Sequence, residues 1–188
     1  GALGEAGAIT TNDEQLAQTC RLLRDHGQSK KYFHDIEGYN GRLDAIQAGF
    51  LRAKLRHLEK WNGQRREIAE RYNRLFEDAE GDVTLPYQPD WSRSVYHIYA
   101  VRVVDRAQLQ KQLDEAGIGT GIHYPVALHL TKAYEGLGFR AGDFPIAEKV
   151  ASQALSLPMF PDLTSRQQDR VVASVLKSVA VTSSSGLS

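Results

Sequence analysis

The run Gly119-Thr120-Gly121-Ile122-His123-Tyr124-Pro125-Val126-Ala127-Leu128-His129 holds the densest chemistry in the chain. Two imidazoles and a phenol are groups that hydrogen-bond small polar ligands or carry protons. Two glycines free the backbone to bend around them, and Pro125 stiffens it again. That order predicts a shaped loop presenting His123, Tyr124 and His129 to something small. A second run, Gly38-Tyr39-Asn40-Gly41-Arg42-Leu43-Asp44-Ala45-Ile46-Gln47, brings the amide of Asn40 beside the five-donor fork of Arg42. The helical spacing that follows places both at a helix start. Unpaired backbone N–H groups and a partial positive charge there suit a phosphate ester.

Plainer roles stay open for the same residues. Asn40 reads equally as a helix cap, with Arg42 paired to Asp44 or another acid. His123 and His129 read as a metal pair only weakly, since no third ligand stands at a telling distance and Pro125 rules out a shared helix face. His97, among apolar neighbours of a strand pattern, reads as a core histidine, and His57, among leucines and lysines of a helix, as a surface one. No nucleophile elbow, Walker loop or Rossmann glycine pattern occurs.

The elements that position these runs follow from periodicity. Asn12-Asp13 caps a helix carrying Leu16, Cys20, Leu22 and Leu23 and ending near His26-Gly27. Residues 28–41 read as a loop. Leu43, Ile46, Phe50, Leu51, Leu55 and Leu58, then Ile68, Ala69, Tyr72, Leu75 and Phe76, predict two helices, or one bent at Asn62-Gly63, linking two bodies. Val83 to Leu85 suggests a short strand, and Val95 to Val104, β-branched and aromatic, a longer one. Leu109, Leu113 and Ala116 mark a helix with Gly117 as its cap, and Gly119 to Tyr124 the next strand. Pro145 starts a helix through Val150 and Ala154. Thr164 with Gln167 forms a capping box for the last helix, and the serine-rich tail from Thr182 reads as frayed. Helices with two or three strands imply an α+β domain.

Composition narrows the function classes. With 188 residues, 41% hydrophobic and 24% charged, the chain has globular composition. Its 23 basic and 23 acidic residues cancel, so no net field draws it to nucleic acid or an anionic membrane. The basic cluster Arg52 to Arg56 alternates with apolar residues on a helix and reads as a solvated face. Cys20 is alone, which excludes an internal disulfide and fits a cytoplasmic protein. The sequence opens, without methionine, on a glycine-rich turn feeding a short apolar strand. That opening is more typical of a domain's middle than of its start, and it leads us to expect a fragment.

Several separated motifs, in order, resemble one family. Asp25-His26-Gly27-Gln28, Gly38 to Asp44, Gly121-Ile122-His123-Tyr124-Pro125, Phe144-Pro145-Ile146-Ala147-Glu148 and Leu155-Ser156-Leu157-Pro158-Met159-Phe160-Pro161 are similar to the DegT/DnrJ/EryC1/StrS sugar aminotransferases. The resemblance runs from Gly1 to about Val179. It implies the C-terminal part of an aspartate-aminotransferase-like (fold type I) transferase: a small antiparallel sheet flanked by helices, with long connecting helices. Residues 1–41 would end the large cofactor domain, 42–79 form the connecting helices, 80–181 the small C-terminal domain, and 182–188 a flexible tail.

The same resemblance implies pyridoxal 5'-phosphate (PLP) as cofactor, an amino-acid donor (glutamate), a nucleotide-linked keto sugar as acceptor, and a homodimer. Asn40 would reach the PLP phosphate of the other subunit. Arg42 would support that loop or touch the sugar nucleotide, and His123, Tyr124 and His129 would line the sugar pocket. The stretch Thr120 to Pro125 is most similar to members that aminate a 3-keto-6-deoxyhexose on dTDP. The sequence departs from the family at Ala127, where proline is frequent. The family's Schiff-base lysine lies just upstream of the stretch matching Gly1 to Gly4, so no catalytic residue is assigned here and the chain alone is expected to be silent. Two other readings remain: a non-enzymatic module for dimerisation or partner binding, and a small metal hydrolase built on His123 and His129.

Overall fold

A computed structural model of the chain describes residues 1–77 and 83–185. The described chain divides into two units, residues 1–59 and 60–188.

In the first unit, Asp13 caps α1 (Glu14–Arg24), its carboxylate accepting from Leu16 N at 3.0 Å. Two successive left-handed residues, His26 (φ 58°) and Gly27 (φ 70°), end it. Residues 28–41 are not a plain loop: β1 (Gln28–Lys30) and β2 (Phe33–His34) form a small antiparallel hairpin. Tyr32 turns it at φ 73°, its N–H held by Gln28 Oε1. Such a turn is not legible from a run with no glycine between its strands. The following helix, α2 (Ala45–Leu55), starts later than the sequence spacing suggests, because residues 39–41 are occupied elsewhere. Tyr39 N and Gly41 N donate to Leu23 and Arg24 carbonyls, each at 2.7 Å. Neither α1 nor α2 contains a buried residue.

The helix break falls at Arg56-His57, between α2 and α3 (Leu58–Leu75), and not at Asn62-Gly63. A helix-interior glycine costs only about 1 kcal/mol. That is small beside the burial of Ile68, Ala69 and Tyr72 on the face of the same helix.

The second unit is built on an antiparallel pair, β3 (Tyr99–Arg102) and β4 (Ala154–Leu157), with Ala100 opposite Ser156. Single bridges extend it at both edges: Thr84 to Arg102, and Gly121 to Ser156. The expected strands at 83–85 and 119–124 thus reduce to one bridge each. β3 is shorter than Val95 to Val104 because Tyr96, at φ 47°, kinks the chain before pairing begins. His97 lies on that kinked segment and is exposed, not in the core. α4 (Arg106–Glu115) ends at Gly117 (φ 66°), and α5 (Pro145–Gln153) starts with proline in its first turn. Ala154 belongs to β4 rather than to α5. The Thr164 capping box starts α6 (Ser165–Ser185): Thr164 N donates to Gln167 Oε1 at 2.9 Å. The tail is helical to Ser185, and 186–188 lie outside the described residues, as does the expected boundary at 79–80.

The core of this unit joins α3, β3, β4, α4 and α6 through Tyr72, Phe76, Tyr99, Leu113, Leu155 and Val175, none more than 2% exposed. The Tyr72 and Tyr99 rings lie 4.9 Å apart. Burial pushes both phenols well above the ordinary tyrosine range, and their hydroxyls donate to Pro158 O and Asn73 Oδ1. Gln168, buried in α6, donates to Ile68 O at 2.9 Å and so ties α6 to α3.

Candidate functional site

The polar groups singled out from sequence fall into two places, one in each unit. In the first, Asn40 stands four residues before the N-cap Asp44 and makes a backbone bridge with Asp25. It is therefore not the helix cap, and a phosphate there would not sit on the helix N-terminus. What the structure shows is a side-chain arrangement. Arg42 Nε donates to Asn40 Oδ1 at 3.3 Å and lies 3.7 Å from Asp25 Oδ1, an ion pair too long for a hydrogen bond. With its carbonyl oxygen taken, Asn40 offers its two amide N–H bonds to an outside acceptor, and its side chain is exposed.

Two glycines make that loop possible. A Cβ on Gly38 would fall 2.1 Å from Gly27 N, and one on Gly27 would fall 1.8 Å from Ile36 O. The Asp25-His26-Gly27 and Gly38-Tyr39-Asn40 segments pack backbone against backbone.

In the second unit, His123 and Tyr124 line an open, largely apolar groove of about 860 Å³ with Val126, Leu128, Ala147 and Val150. Their rings meet edge to face at 5.9 Å. His123 Nδ1 lies 2.9 Å from Ser156 Oγ on β4. Tyr124 is 76% exposed. His129 does not join them. Its side chain is only 8% exposed, its Nε2 lies 3.0 Å from Glu148 Oε1, and its ring meets Phe144 edge to face at 4.7 Å. The Gly142 N–H holds the Glu148 carboxyl below the usual range, with smaller help from the Phe144 N–H and His129, against some desolvation. His129 and Glu148 thus pin the 142–144 loop to the turn at Leu128–Leu130.

The two histidines take separate partners, and no cluster of three or more metal-ligating side chains exists among the described residues. Sequence reasoning gave no role to Asp25, Glu148 or Ser156. For Ser156 a signal was present: Leu-Ser-Leu in a strand turns the hydroxyl to the face opposite both leucines.

Residues 2–176 match the DegT/DnrJ/EryC1/StrS aminotransferase family. The chain belongs to this family. It is 47% identical over 93% of its length to a pleiotropic regulatory protein of Geobacillus stearothermophilus, covering 47% of that relative. It is 41% identical over 93% of its length to the dTDP-3-amino-3,4,6-trideoxy-alpha-D-glucose transaminase of Streptomyces venezuelae, covering 46% of it. The fold agrees with a crystal structure of NtdA from Bacillus subtilis with bound cofactor PMP: TM-score 0.85, 31% identity, 96% of this chain and 43% of that one. The chain spans about half the length of the curated relatives it matches. The helices and small antiparallel sheets are thus those of a partial α+β domain of fold type I, the fold of a family whose aminotransferases use pyridoxal 5'-phosphate.

The residues present fit one end of that cofactor. Asn40's outward amide and the neighbouring guanidinium are a donor set for phosphate. The chain's eight lysines are exposed except Lys54, which is half-buried and donates to Gly1 O. No helix among the described residues is long and apolar enough to cross a membrane.

Proposed function

We propose that this chain is the half of a PLP-dependent sugar-nucleotide aminotransferase that contacts the cofactor phosphate and the sugar, with the Schiff-base lysine supplied by residues outside it. The reaction is transfer of an amino group from an amino acid, glutamate, to a nucleotide-linked keto sugar. A 3-keto-6-deoxyhexose on dTDP suits the similarity to the S. venezuelae transaminase. The cofactor supplies an electron sink that carries the nitrogen between donor and acceptor.

The chain's own residues bind and orient. Asn40 donates to the phosphate, a charge-assisted bond stronger than a neutral amide pair, while Arg42 holds the amide oxygen and so aims it. His123 and Tyr124 hydrogen-bond sugar oxygens from the groove wall. His129, buried against Glu148, steadies the loop beside them and makes no ligand contact. In this proposal the protein is a cytoplasmic homodimer and Asn40 serves the partner's cofactor. The apolar faces of the first unit support that, since Ile46 and Phe50 of α2 are 76% and 46% exposed.

One observation supports the reading: the chain matches the family over residues 2–176, and within that span Asn40 and His123 present polar groups held by neighbouring side chains. The test joins the chain to the lysine-bearing half of a relative and follows amination of dTDP-3-keto-6-deoxyhexose. His123→Ala should raise the sugar KM about tenfold, the loss of one ligand hydrogen bond. Unchanged kinetics would remove the sugar role. The same exposed apolar faces favour a second reading, a catalytically silent dimerisation module; an inactive joined protein that still dimerises would support it.

A further inference from the structure

His123 is held in a way that a merely exposed loop histidine would not need. Ser156 is 7% exposed and sits in the middle of β4, and its backbone exchanges two hydrogen bonds with Gly121. Ser156 N donates to Gly121 O at 2.8 Å, and Gly121 N to Ser156 O at 3.1 Å. From there the chain runs two residues to His123, whose ring folds back so that Nδ1 meets Ser156 Oγ at 2.9 Å. The fold-back needs a bare α-carbon at Gly121, because a Cβ there would fall 2.7 Å from His123 Cε1. Gly121 has no left-handed φ, so the requirement is for space.

The contact is compatible with either tautomer, and burial of the hydroxyl favours the one in which Ser156 donates. A buried hydroxyl places its hydrogen on an acceptor. Among the described residues, the hydrogen-bond partner of Ser156 Oγ is His123 Nδ1. Nδ1 accepting leaves the ring proton on Nε2.

We propose that Ser156 and Gly121 are positioning residues for His123, fixing its ring as the Nε2–H tautomer so that Nε2–H is a preset donor to a ligand oxygen. The ligand is the keto sugar of the preceding section, and to that extent the inference rests on that reading. A preset donor binds a carbonyl or hydroxyl oxygen without the cost of ordering a free imidazole. It is also unsuited to accept a proton at Nε2, so His123 binds and does not act as base.

The test uses the chain itself, ¹⁵N-labelled at histidine, at a pH about two units above the ordinary imidazole value. Wild-type His123 should show a protonated-type Nε2 and an acceptor-type Nδ1. In Ser156→Ala the two shifts should move toward those of unconstrained histidine, and Ser156→Thr should restore the wild-type pattern. Gly121→Ala should release the ring while leaving Ser156 in place. A wild-type spectrum with the proton on Nδ1, or shifts unaltered in Ser156→Ala, would overturn the proposal. The wild-type spectrum decides even where a variant does not fold. In the joined enzyme, Ser156→Ala should raise the sugar KM about three- to tenfold with kcat nearly unchanged. A fixed tautomer together with no change in KM for His123→Ala would sink the sugar-binding reading instead, so the two failures are distinct.

Discussion

Substituting Gly38 with alanine tests the architecture that presents Asn40. The added Cβ would lie 2.1 Å from Gly27 N and 2.6 Å from His26 C, where ordinary contact is about 3.5–4 Å. Both neighbours are backbone, so no rotamer change relieves the clash, and the 38–41 segment must withdraw by more than about 1 Å. Three backbone hydrogen bonds hold it now: Tyr39 N to Leu23 O, Gly41 N to Arg24 O, and His26 N to Tyr39 O. At about 1 kcal/mol each, their loss amounts to roughly 3 kcal/mol. By amide hydrogen exchange, the Tyr39, Gly41 and His26 N–H groups should exchange roughly 100-fold faster in Gly38→Ala. Gly119→Ala is the control, since nothing lies within 4 Å of its Cβ, and it should change stability by less than about 0.5 kcal/mol. Wild-type protection of those three amides in Gly38→Ala would show that the loop is not built this way.

In the joined enzyme, Asn40→Ala should weaken PLP binding about 10- to 100-fold, the worth of one charge-assisted bond, and Arg42→Ala should do so less. Equal affinity in wild type and Asn40→Ala, by equilibrium dialysis, would return Asn40 to a structural role. The Glu148 carboxyl titrates below its unfolded value, chiefly through the Gly142 N–H. Its stabilisation is therefore complete above the ordinary carboxylate range and lost as pH falls through the folded value. The Tm gap between wild type and Glu148→Gln should accordingly shrink on acidification; a gap independent of pH would contradict the assignment.

Much of the fold was legible because its signals are local. Asp13, Gly117, Pro145 and the Thr164–Gln167 pair mark helix ends through side chains and dihedrals that act within one turn. Features set by distant partners were not. β4 is the clearest case: it is four residues long, follows α5 directly, and becomes a strand only because β3 lies beside it. His97 follows a backbone kink at Tyr96 that apolar neighbours concealed. At the proposed site, residue types singled out His123 and Asn40 as candidates, but their partners Ser156 and Arg42–Asp25 emerged from geometry. His129, equivalent to His123 by type and spacing, differs because Glu148, nineteen residues on, takes its Nε2.

The most direct measurement is borohydride reduction in the presence of PLP, read by mass spectrometry on the chain alone and on the chain joined to a lysine-bearing half. One stoichiometric pyridoxyl group is expected on the added half and none on Lys30, Lys31, Lys54 or any other lysine of this chain. A single stoichiometric adduct on one of this chain's own lysines would contradict the proposal.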